Sequence, residues 1–381
     1  MNADGVVQPG RASAPSRGLH PSPGPYGHSL SSGKMRERVQ RATIQDVAVR
    51  AGVSISTVSA VLNDRTTVKE STRDQVLEAI RELNYRPRPA LRRPASAPST
   101  RSVAFIFRDA GNPYYDEVMA GAQDVLEQHG YHMLVGASDG IGDRERKLVD
   151  LLRAKDFDGV LLTPVLDRTA DLAHLFELKR RNVSFVLLEE VYGIQASLVD
   201  VDSVMGSKKA VQHLIGLGHS HIVHFAGPEY SHHSSERTAG VRAAYSESSL
   251  VFSSEYVIPA GDSLQEGYES GLAYFRGRPP SKRPTAITCY NDLVAIGVCR
   301  ALAELGLRVP DDVSIVGYDD LPLLDFISPH LTTVQVPKRD VGRLAAEMLH
   351  QEIEHGPPAT PRKVYLQPSL VVRESTAPPR K

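Results

Sequence analysis

The chain has 381 residues and carries 44 lysine and arginine residues against 45 aspartate and glutamate residues, so its net charge is close to zero. This length accommodates two or three domains. The two cysteines, Cys289 and Cys299, are too few for a disulfide framework and suit a reducing cytoplasm. We expect no membrane span and no exported precursor, because there is no apolar run of about 18 residues and no hydrophobic signal-peptide core.

The charge is unevenly distributed along the chain. Residues 34–93 contain thirteen lysine and arginine residues against seven aspartate and glutamate residues, a balance of +6. Residues 1–33 carry +1, so the remaining body is acidic at −8. A basic segment ahead of an acidic body indicates a polyanionic partner for the first part of the chain, although a solvated basic surface gives the same small excess.

Residues 1–40 are rich in proline, glycine, serine and arginine and show no hydrophobic period. Such a composition cannot bury enough apolar surface to fold, so we predict a disordered N-terminal extension. A mis-assigned start codon accounts for this segment equally well.

Residues 43–63, TIQDVAVRAGVSISTVSAVLN, predict two short helices joined by a tight turn. Gly52 ends the first helix, since glycine adopts a positive φ at no steric cost. Ser54 is a favourable N-cap for the second helix. The apolar side chains that recur at helical spacing and face inward are Val47, Ala48, Ala51, Val58, Val61 and Leu62.

A third helix is predicted over residues 71–83, with Val76, Ile80 and Leu83 on one face. It closes a compact three-helix unit. The second helix leaves polar and small side chains facing outward, as a helix that enters a DNA major groove does. An ordinary helical hairpin packed in a core is the alternative for the two-helix stretch alone.

The stretch TIQDVAVRAGVSISTVSAVLN, followed by TRDQVLEAIRELNYRP, resembles the DNA-binding headpiece of the lactose-repressor (LacI) family of bacterial transcription regulators. The resemblance extends over residues 43–375. It implies a regulator, expected to be a repressor, that binds a pseudo-palindromic double-stranded DNA operator as a homodimer and responds to a small-molecule effector. The implied domains are a disordered extension (1–40), a headpiece (41–87), a hinge linker (88–101), a two-lobed effector-binding and dimerisation domain (102–375) and a tail (376–381).

The resemblance also implies which side chains contact DNA. Ile55, Ser56 and Ala60 match the base-reading positions, and none of them has a long polar arm, so we expect modest base selectivity for each half-site. The residues expected to contact phosphates and fix the register are Thr43, Ser54, Thr57, Ser59 and Asn63.

The linker contains four prolines in PRPALRRPASAPSTR, residues 87–101. In the family this segment forms a hinge helix whose leucine wedge enters the minor groove, and Leu91 is the side chain available for that role. Pro94 falls in mid-helix, where a proline costs roughly 3 kcal/mol. We therefore expect no regular hinge helix and weaker DNA bending.

From Val103 onward, buried strands alternate with amphipathic helices, which predicts parallel sheets covered on both faces. Two such sets are too many strands for one simple sheet, so we predict two similar α/β lobes with a cleft, the periplasmic-binding-protein-like fold. The predicted strands are 103–107, 132–136, 159–164, 183–189, 221–227, 255–261, 285–290, 314–320, 364–366 and 370–372, and the predicted helices are 113–128, 207–217, 236–247, 293–305 and 341–354.

Ligands of such sheets bind beyond the carboxyl ends of the strands, where this chain is polar. Arg237, Asn291 and Asp319 match family positions that hold effector hydroxyls or charged groups. The other candidate effector-binding residues are Asn112, Tyr114, Asp139, Thr163, Glu189 and His233. Each of the Asn-Asp and Asp-Asp pairs also has an ordinary explanation as a helix cap. A polar pocket of this kind indicates a neutral, hydroxyl-rich ligand such as a sugar.

Ser263 stands where sugar-binding relatives often stack an aromatic ring, and Tyr114 or Tyr115 is available to replace it.

A solute-binding protein of a transport system is the alternative function, but it does not explain the headpiece. We expect no enzyme and no cofactor, because the glycine-rich and nucleophile motifs of common enzymes are missing. Five histidines lie between residues 219 and 233. We expect His219 and His221 to flank the start of a strand and His232 and His233 to lie in a loop, an arrangement that implies no metal-ligand geometry.

Overall fold

The computed structural model describes residues 43–62, 68–83, 85, 100–154, 157–166 and 172–380. The chain divides into two compact units, Met1–Arg88 and Pro89–Lys381. The predictions made for residues 1–40, Asn63 and the hinge residues Leu91 and Pro94 lie outside the described residues. No helix in the described parts of the chain is long and apolar enough to cross a membrane.

The first unit contains the three predicted helices, α1 (Ile44–Ala51), α2 (Ile55–Leu62) and α3 (Glu70–Glu82). Their inward faces form one small apolar cluster, as the helical spacing predicts. The fully buried members of that cluster are Val47, Ala48, Val58, Val61, Val76 and Ala79. The prediction of a three-helix unit is confirmed.

Local hydrogen bonds fix the ends of these helices. A capping box begins α1: the Asp46 amide donates to Thr43 Oγ1 at 3.3 Å, and the Thr43 amide donates to Asp46 Oδ2 at 2.7 Å. Gly52 ends α1 with a φ of 65°, in the left-handed region. The Thr57 amide donates to Ser54 Oγ at 3.2 Å, so Ser54 caps α2 as predicted.

In the second unit, one sheet is entirely parallel. It has six strands in the order β11-β5-β4-β3-β1-β2. Their bounds are β1 (Ser102–Phe107), β2 (His132–Ala137), β3 (Gly159–Leu162), β4 (Ser184–Leu187), β5 (Ser197–Val201) and β11 (Lys363–Leu366). This sheet and the helices packed on it are called the first lobe.

The other sheet also has six strands, in the order β12-β10-β9-β8-β6-β7, with β12 antiparallel to β10 and the other pairs parallel. Their bounds are β6 (Ile222–Ala226), β7 (Val257–Pro259), β8 (Ala286–Cys289), β9 (Ser314–Asp319), β10 (Thr332–Gln335) and β12 (Ser369–Val371). This sheet and its helices are the second lobe, and the predicted two-lobed α/β architecture is confirmed.

The helices that cover the two sheets pack in pairs, α4 with α11, α7 with α8 and α9 with α10. Their bounds are α4 (Tyr114–Gln128), α5 (Gly142–Ala154), α6 (Ala173–Arg180), α7 (Ser203–Gly216), α8 (His232–Ser246), α9 (Leu264–Phe275), α10 (Asp292–Glu304) and α11 (Lys338–His355). Short 3-10 helices occupy Ser254–Tyr256, Pro280–Lys282 and Pro322–Phe326.

The chain passes between the lobes after β5, after β10 and between β11 and β12. The second passage carries α11 back to the first lobe, where it packs on α4 and contacts β3, β4 and β5. Two glycines permit this close approach. A Cβ atom at Gly121 would lie 2.0 Å from the Arg339 carbonyl oxygen, and one at Gly342 would lie 1.9 Å from that of Val118.

Several elements differ from the sequence-based prediction, and among them strand β10 (Thr332–Gln335) and helix α9 (Leu264–Phe275) were not predicted. Strand β5 was not predicted, because Ser197 and Asp200 interrupt its apolar pattern, yet both side chains are buried. Helix α8 was predicted from residue 236, with His232 and His233 in a loop, and that was wrong. The helix begins at His232, since Ser231 Oγ accepts from the Ser234 amide at 3.3 Å and caps it.

Candidate functional site

The outer face of α2 in the first unit carries the predicted base-reading residues. Ile55 is 45% exposed and Ser56 is exposed, whereas Ala60 is half-buried. The opposite face of the helix is held in the core by Val58 and Val61. This leaves a short, exposed, largely uncharged helical surface that can enter a groove.

Hydroxyl groups cluster at the N-terminus of α2. Ser54 Oγ lies 2.7 Å from Ser56 Oγ and 2.8 Å from Thr57 Oγ1. Thr43, at the start of α1, is exposed, and its hydroxyl donates to Asp46 at 2.7 Å. Helix N-termini and hydroxyl groups are favourable partners for phosphate oxygens. The Ser59 side chain and Asn63 lie outside the described residues.

In the second unit, one cavity is lined by residues from both lobes at the carboxyl ends of their strands. Seven of the nine predicted effector-binding residues line it. They are Asn112, Tyr114, Thr163, His233, Arg237, Asn291 and Asp319. Glu189 is not among the lining residues, but it pairs with Arg108, which is one of them.

Asp139 does not line this cavity. Its carboxylate forms an ion pair with Arg144 on α5. Asp139 has a positive φ of 49°, a backbone conformation that aspartate tolerates better than most residues. Ser263, the position where an aromatic ring was sought, is the N-cap of α9 and forms a capping box with Glu266.

Three ion pairs organise the polar part of the cavity. Arg108 pairs with Glu189, both in the first lobe. His233 Nε2 on α8 lies 2.8 Å from Asp200 Oδ1 on β5, so this pair joins the two lobes. In the second lobe, Arg237 Nη2 lies 3.5 Å from Asp319 Oδ1.

Arg237 is enclosed by aromatic rings and backbone. Its guanidinium lies 3.7 Å from the ring centroid of Tyr318 and 4.6 Å from that of Tyr290. One of its terminal nitrogens donates to the Tyr290 carbonyl oxygen. This packing fixes the orientation of a buried cation, as stacking on aromatic faces does.

Burial and charge act in opposite directions on the ionisable groups of the cavity. Burial disfavours the charged imidazole of His233, but Asp200 and Glu189 overcome this effect and raise its pKa to about 9. Burial opposes ionisation of Glu189, yet Arg108 and His233 lower its pKa overall. For Asp319, burial outweighs Arg237, so its pKa is raised.

Several buried polar atoms around the cavity have no hydrogen-bond partner among the described residues. They include Thr163 Oγ1, Glu189 Oε1 and Arg237 Nε. Buried polar groups in folded proteins are nearly always hydrogen-bonded, so atoms of this kind at a cavity point to a ligand or ordered water. Together they offer both donors and acceptors.

Asn291 has a different local role. Its Oδ1 accepts from the Val294 amide at 2.8 Å and caps α10, and its Nδ2 donates to the Asp262 carbonyl oxygen at 2.8 Å. Both ends of the amide are thus engaged, as the ordinary reading of an Asn-Asp pair predicts.

Sequence reasoning did not select several residues that shape the cavity. Arg108 follows β1 directly, which was a usable signal, whereas Asp200 was missed together with its strand. Tyr115, considered only as a stacking ring, also lines the cavity, and so do Asp262 and Tyr290, which were not considered. Among the residues that the structure describes, no group of three histidine, cysteine or carboxylate side chains could hold a metal ion.

Comparison with family models matches both units. Residues 43–88 match the model described as bacterial regulatory proteins of the lacI family, and residues 211–376 match the periplasmic binding protein-like domain. The HTH-type transcriptional repressor PurR of Vibrio campbellii (strain ATCC BAA-1116) is 34% identical over 343 residues, which cover 88% of this chain and 98% of that protein.

Solved structures of transcription regulators are also similar to this chain. The transcriptional regulator CelR–cellobiose complex has a TM-score of 0.66 and 30% identity, over 88% of this chain and 100% of that chain. The lac repressor dimer bound to operator and the anti-inducer ONPF has a TM-score of 0.65 and 27% identity, over 89% and 100%. A LacI family regulator from Enterococcus faecium with bound ribose has a TM-score of 0.63 and 25% identity, over 73% and 100%.

These relatives are regulators of transcription, and they give no support to a transport protein or an enzyme. The helix-turn-helix unit and the two-lobed unit occur here in one chain, as the family requires. The chain therefore belongs to the LacI family and is a DNA-binding transcriptional repressor.

Proposed function

We propose that this repressor binds a pseudo-palindromic operator as a homodimer and that a neutral, hydroxyl-rich molecule of the sugar class binds in the cavity between its lobes. Effector binding changes operator affinity by a coupling free energy that is typically about 1–3 kcal/mol. The proposed boundaries are a headpiece at 41–87, a linker at 88–101, the two-lobed domain at 102–375 and a tail at 376–381. Its operator places the protein on nucleoid DNA in the cytoplasm.

For DNA recognition we propose that Ile55, Ser56 and Ala60 contact base edges. The exposure of Ile55 supports a contact with a thymine methyl group, and the Ser56 hydroxyl can bond either way. Phosphate contacts are proposed for Thr43, Ser54, Thr57, Ser59 and Asn63, and a weak minor-groove contact for Leu91.

The charge balance of the cavity supports a neutral effector. Arg108, His233 and Arg237 each already pair with a carboxylate, so an anionic ligand would find no uncompensated cation among them. Hydroxyl groups both donate and accept, and they match the unpartnered Thr163 hydroxyl and Arg237 Nε. This pairing of every cavity cation is the observation that carries the proposal.

The aromatic lining supports a ring-shaped ligand. Tyr114, Tyr115 and Tyr290 line the cavity and offer apolar faces beside the polar groups. Two of the similar structures hold cellobiose and ribose. We extend the sugar class, and not either particular sugar, to this chain.

A ligand panel on the full chain tests the proposal. Thermal shift followed by calorimetry compares cellobiose, ribose and other neutral sugars with sugar phosphates, sugar acids and planar heterocycles such as hypoxanthine. A specific ligand raises the melting temperature by mass action. We expect a neutral sugar to bind and to change affinity for an operator obtained by binding-site selection. Binding by only the anions or only the planar heterocycles would refute the proposed effector class.

A further inference from the structure

The turn after β9 holds an unusual backbone conformation beside the cavity. Asp319 and Asp320 have φ values of 110° and 57°, two consecutive non-glycine residues in the left-handed region. Such residues are strained and persist only where the surroundings hold them. Asp319 lines the cavity, and its Oδ1 lies 3.5 Å from Arg237 Nη2.

A buried lysine holds this turn. The side chain of Lys338 is 3% exposed, and its ammonium donates to the carbonyl oxygens of Asp319 at 2.7 Å and Asp320 at 2.8 Å. Its third neighbour is Glu117 Oε1 at 3.2 Å. The ammonium thus makes two hydrogen bonds to the turn and one ion pair with Glu117.

The neighbouring side chain is tethered separately. The carboxylate of Asp320 accepts from Arg373 at 2.7 Å and from Gln335 Nε2 at 2.9 Å. Arg373 and Gln335 belong to the second lobe and hold the Asp320 side chain. Lys338 instead binds the backbone carbonyl oxygens of Asp319 and Asp320. Lys338 thus contacts the backbone of the residue whose carboxylate lies beside Arg237.

Lys338 also lies where the chain returns to the first lobe. It is the first residue of α11, directly after the passage that follows β10, and α11 packs on α4. Glu117 belongs to α4. One ammonium thus connects the cavity-facing turn of the second lobe with a helix of the first.

We propose that Lys338 is a positioning residue for the effector: it holds the strained turn so that Asp319 and Arg237 meet the ligand, and it links that turn to α4 through Glu117. This rests on the proposed function of the cavity as an effector site. The ligand touches Asp319 and Arg237, and Lys338 acts through them. Because the ammonium spans both lobes, it couples occupancy of the cavity to the arrangement of the first lobe.

Lys338→Met tests the positioning role, since it removes the ammonium and keeps an unbranched stem. Arg339→Met is the matched control, because Arg339 is the next residue of α11 and pairs on the surface with Asp124. With cellobiose and ribose as probes in the full chain, we expect Lys338→Met to weaken binding at least about tenfold and Arg339→Met less than about twofold. Equal effects of the two variants would overturn the proposal.

A double-mutant cycle separates positioning from a general loss of stability. Asp319→Asn keeps the size of the side chain, and asparagine tolerates a positive φ. If Lys338 acts through Asp319, adding Lys338→Met to Asp319→Asn weakens binding by no more than about a further twofold. A further tenfold loss would show that Lys338 acts elsewhere and would overturn the proposal.

Glu117→Gln isolates the link to α4. We expect it to leave sugar affinity within about twofold and to reduce the change in operator affinity that the sugar causes. An unchanged response would remove the α4 link from the proposal.

Hydrogen exchange keeps this test independent of the effector class. In the ligand-free full chain, we expect Lys338→Met to accelerate amide exchange in peptides covering 314–321, and Arg339→Met to leave it unchanged. If the wild-type protein bound neither sugar, the proposed effector class would fail while this comparison still decided the role of Lys338. Unchanged amide exchange in Lys338→Met would overturn the positioning role of Lys338.

Discussion

His233, at the start of α8 in the second lobe, donates a hydrogen bond of 2.8 Å to the carboxylate of Asp200 at the end of β5 in the first lobe. Glu189 Oε1 lies 4.0 Å from the other ring nitrogen. A cation near a helix N-terminus is unfavourable, and these two carboxylates compensate for it. The contact between the lobes at this point is thus a charge contact that depends on imidazole protonation.

The stability of the full chain should fall on the alkaline side because of His233. Its folded-state pKa of about 9 exceeds the unfolded value of about 6.5, so its contribution is fully present below about pH 6.5 and is lost as the pH rises through about 9. We expect the melting temperature to decline between about pH 7 and 9.5, and His233→Gln to flatten that decline. His221→Gln is the control, because burial lowers the pKa of His221; an equally steep decline in His233→Gln would contradict the assignment.

Substitution of Thr163, whose hydroxyl is unpartnered, should change ligand affinity without a loss of stability. Thr163→Val removes a buried hydroxyl that has no partner among the described residues, so we expect stability to stay constant or rise by about 1 kcal/mol, while sugar affinity falls about tenfold. Thr288→Val is the matched control, since its buried hydroxyl lies 3.0 Å from His224 Nδ1. That variant should lose about 1–3 kcal/mol of stability and keep its affinity, as denaturant unfolding and calorimetry would show. A loss of stability in Thr163→Val would mean that the hydroxyl supports the fold.

Base selectivity should respond to α2 alone. Ala60→Arg places a bidentate donor on the helix proposed to enter the groove, so we expect a new preferred half-site with discrimination of about 1–3 kcal/mol. Ser71→Arg adds the same charge on the exposed start of α3 and should raise affinity for all sequences without changing the preference. Binding-site selection with both variants decides. If both variants selected the same half-site, this result would argue against α2 as the helix that contacts the bases.

The turn between α1 and α2 depends on Gly52. No atom lies within 4 Å of a Cβ built there, so Gly52→Ala meets only the conformational penalty of its φ of 65°, about 1–2 kcal/mol. Hydrogen exchange of peptides covering 43–62 in the full chain should show faster opening. Val49→Ala, at an α1 position that is 83% exposed, should leave exchange nearly unchanged. If Gly52→Ala also left hydrogen exchange unchanged, the turn would not require a residue in the left-handed region.

The sequence by itself determined the three helices described in the first unit. Gly52, Ser54 and the apolar positions of α1, α2 and α3 act through contacts a few residues apart, which the helical period and capping rules describe. The alternation of strands and helices likewise determined the two-lobed class, because each strand must bury both faces. The polar residues after β1 and β9 were predicted for the same reason, since carboxyl ends of parallel strands share one edge.

Only the tertiary structure decided how distant segments meet. It placed α11 on the first lobe, set Asp200 against His233, and showed that both ends of the Asn291 amide are engaged by protein atoms. Asp200 is a buried carboxylate that breaks the apolar pattern of its own strand, and its burial is compensated by a histidine 33 residues further along the chain. The periodicity of a single strand carries no information about a partner such as His233. The cost of burying the Asp200 charge is offset by an opposite charge that only the folded chain brings close to it.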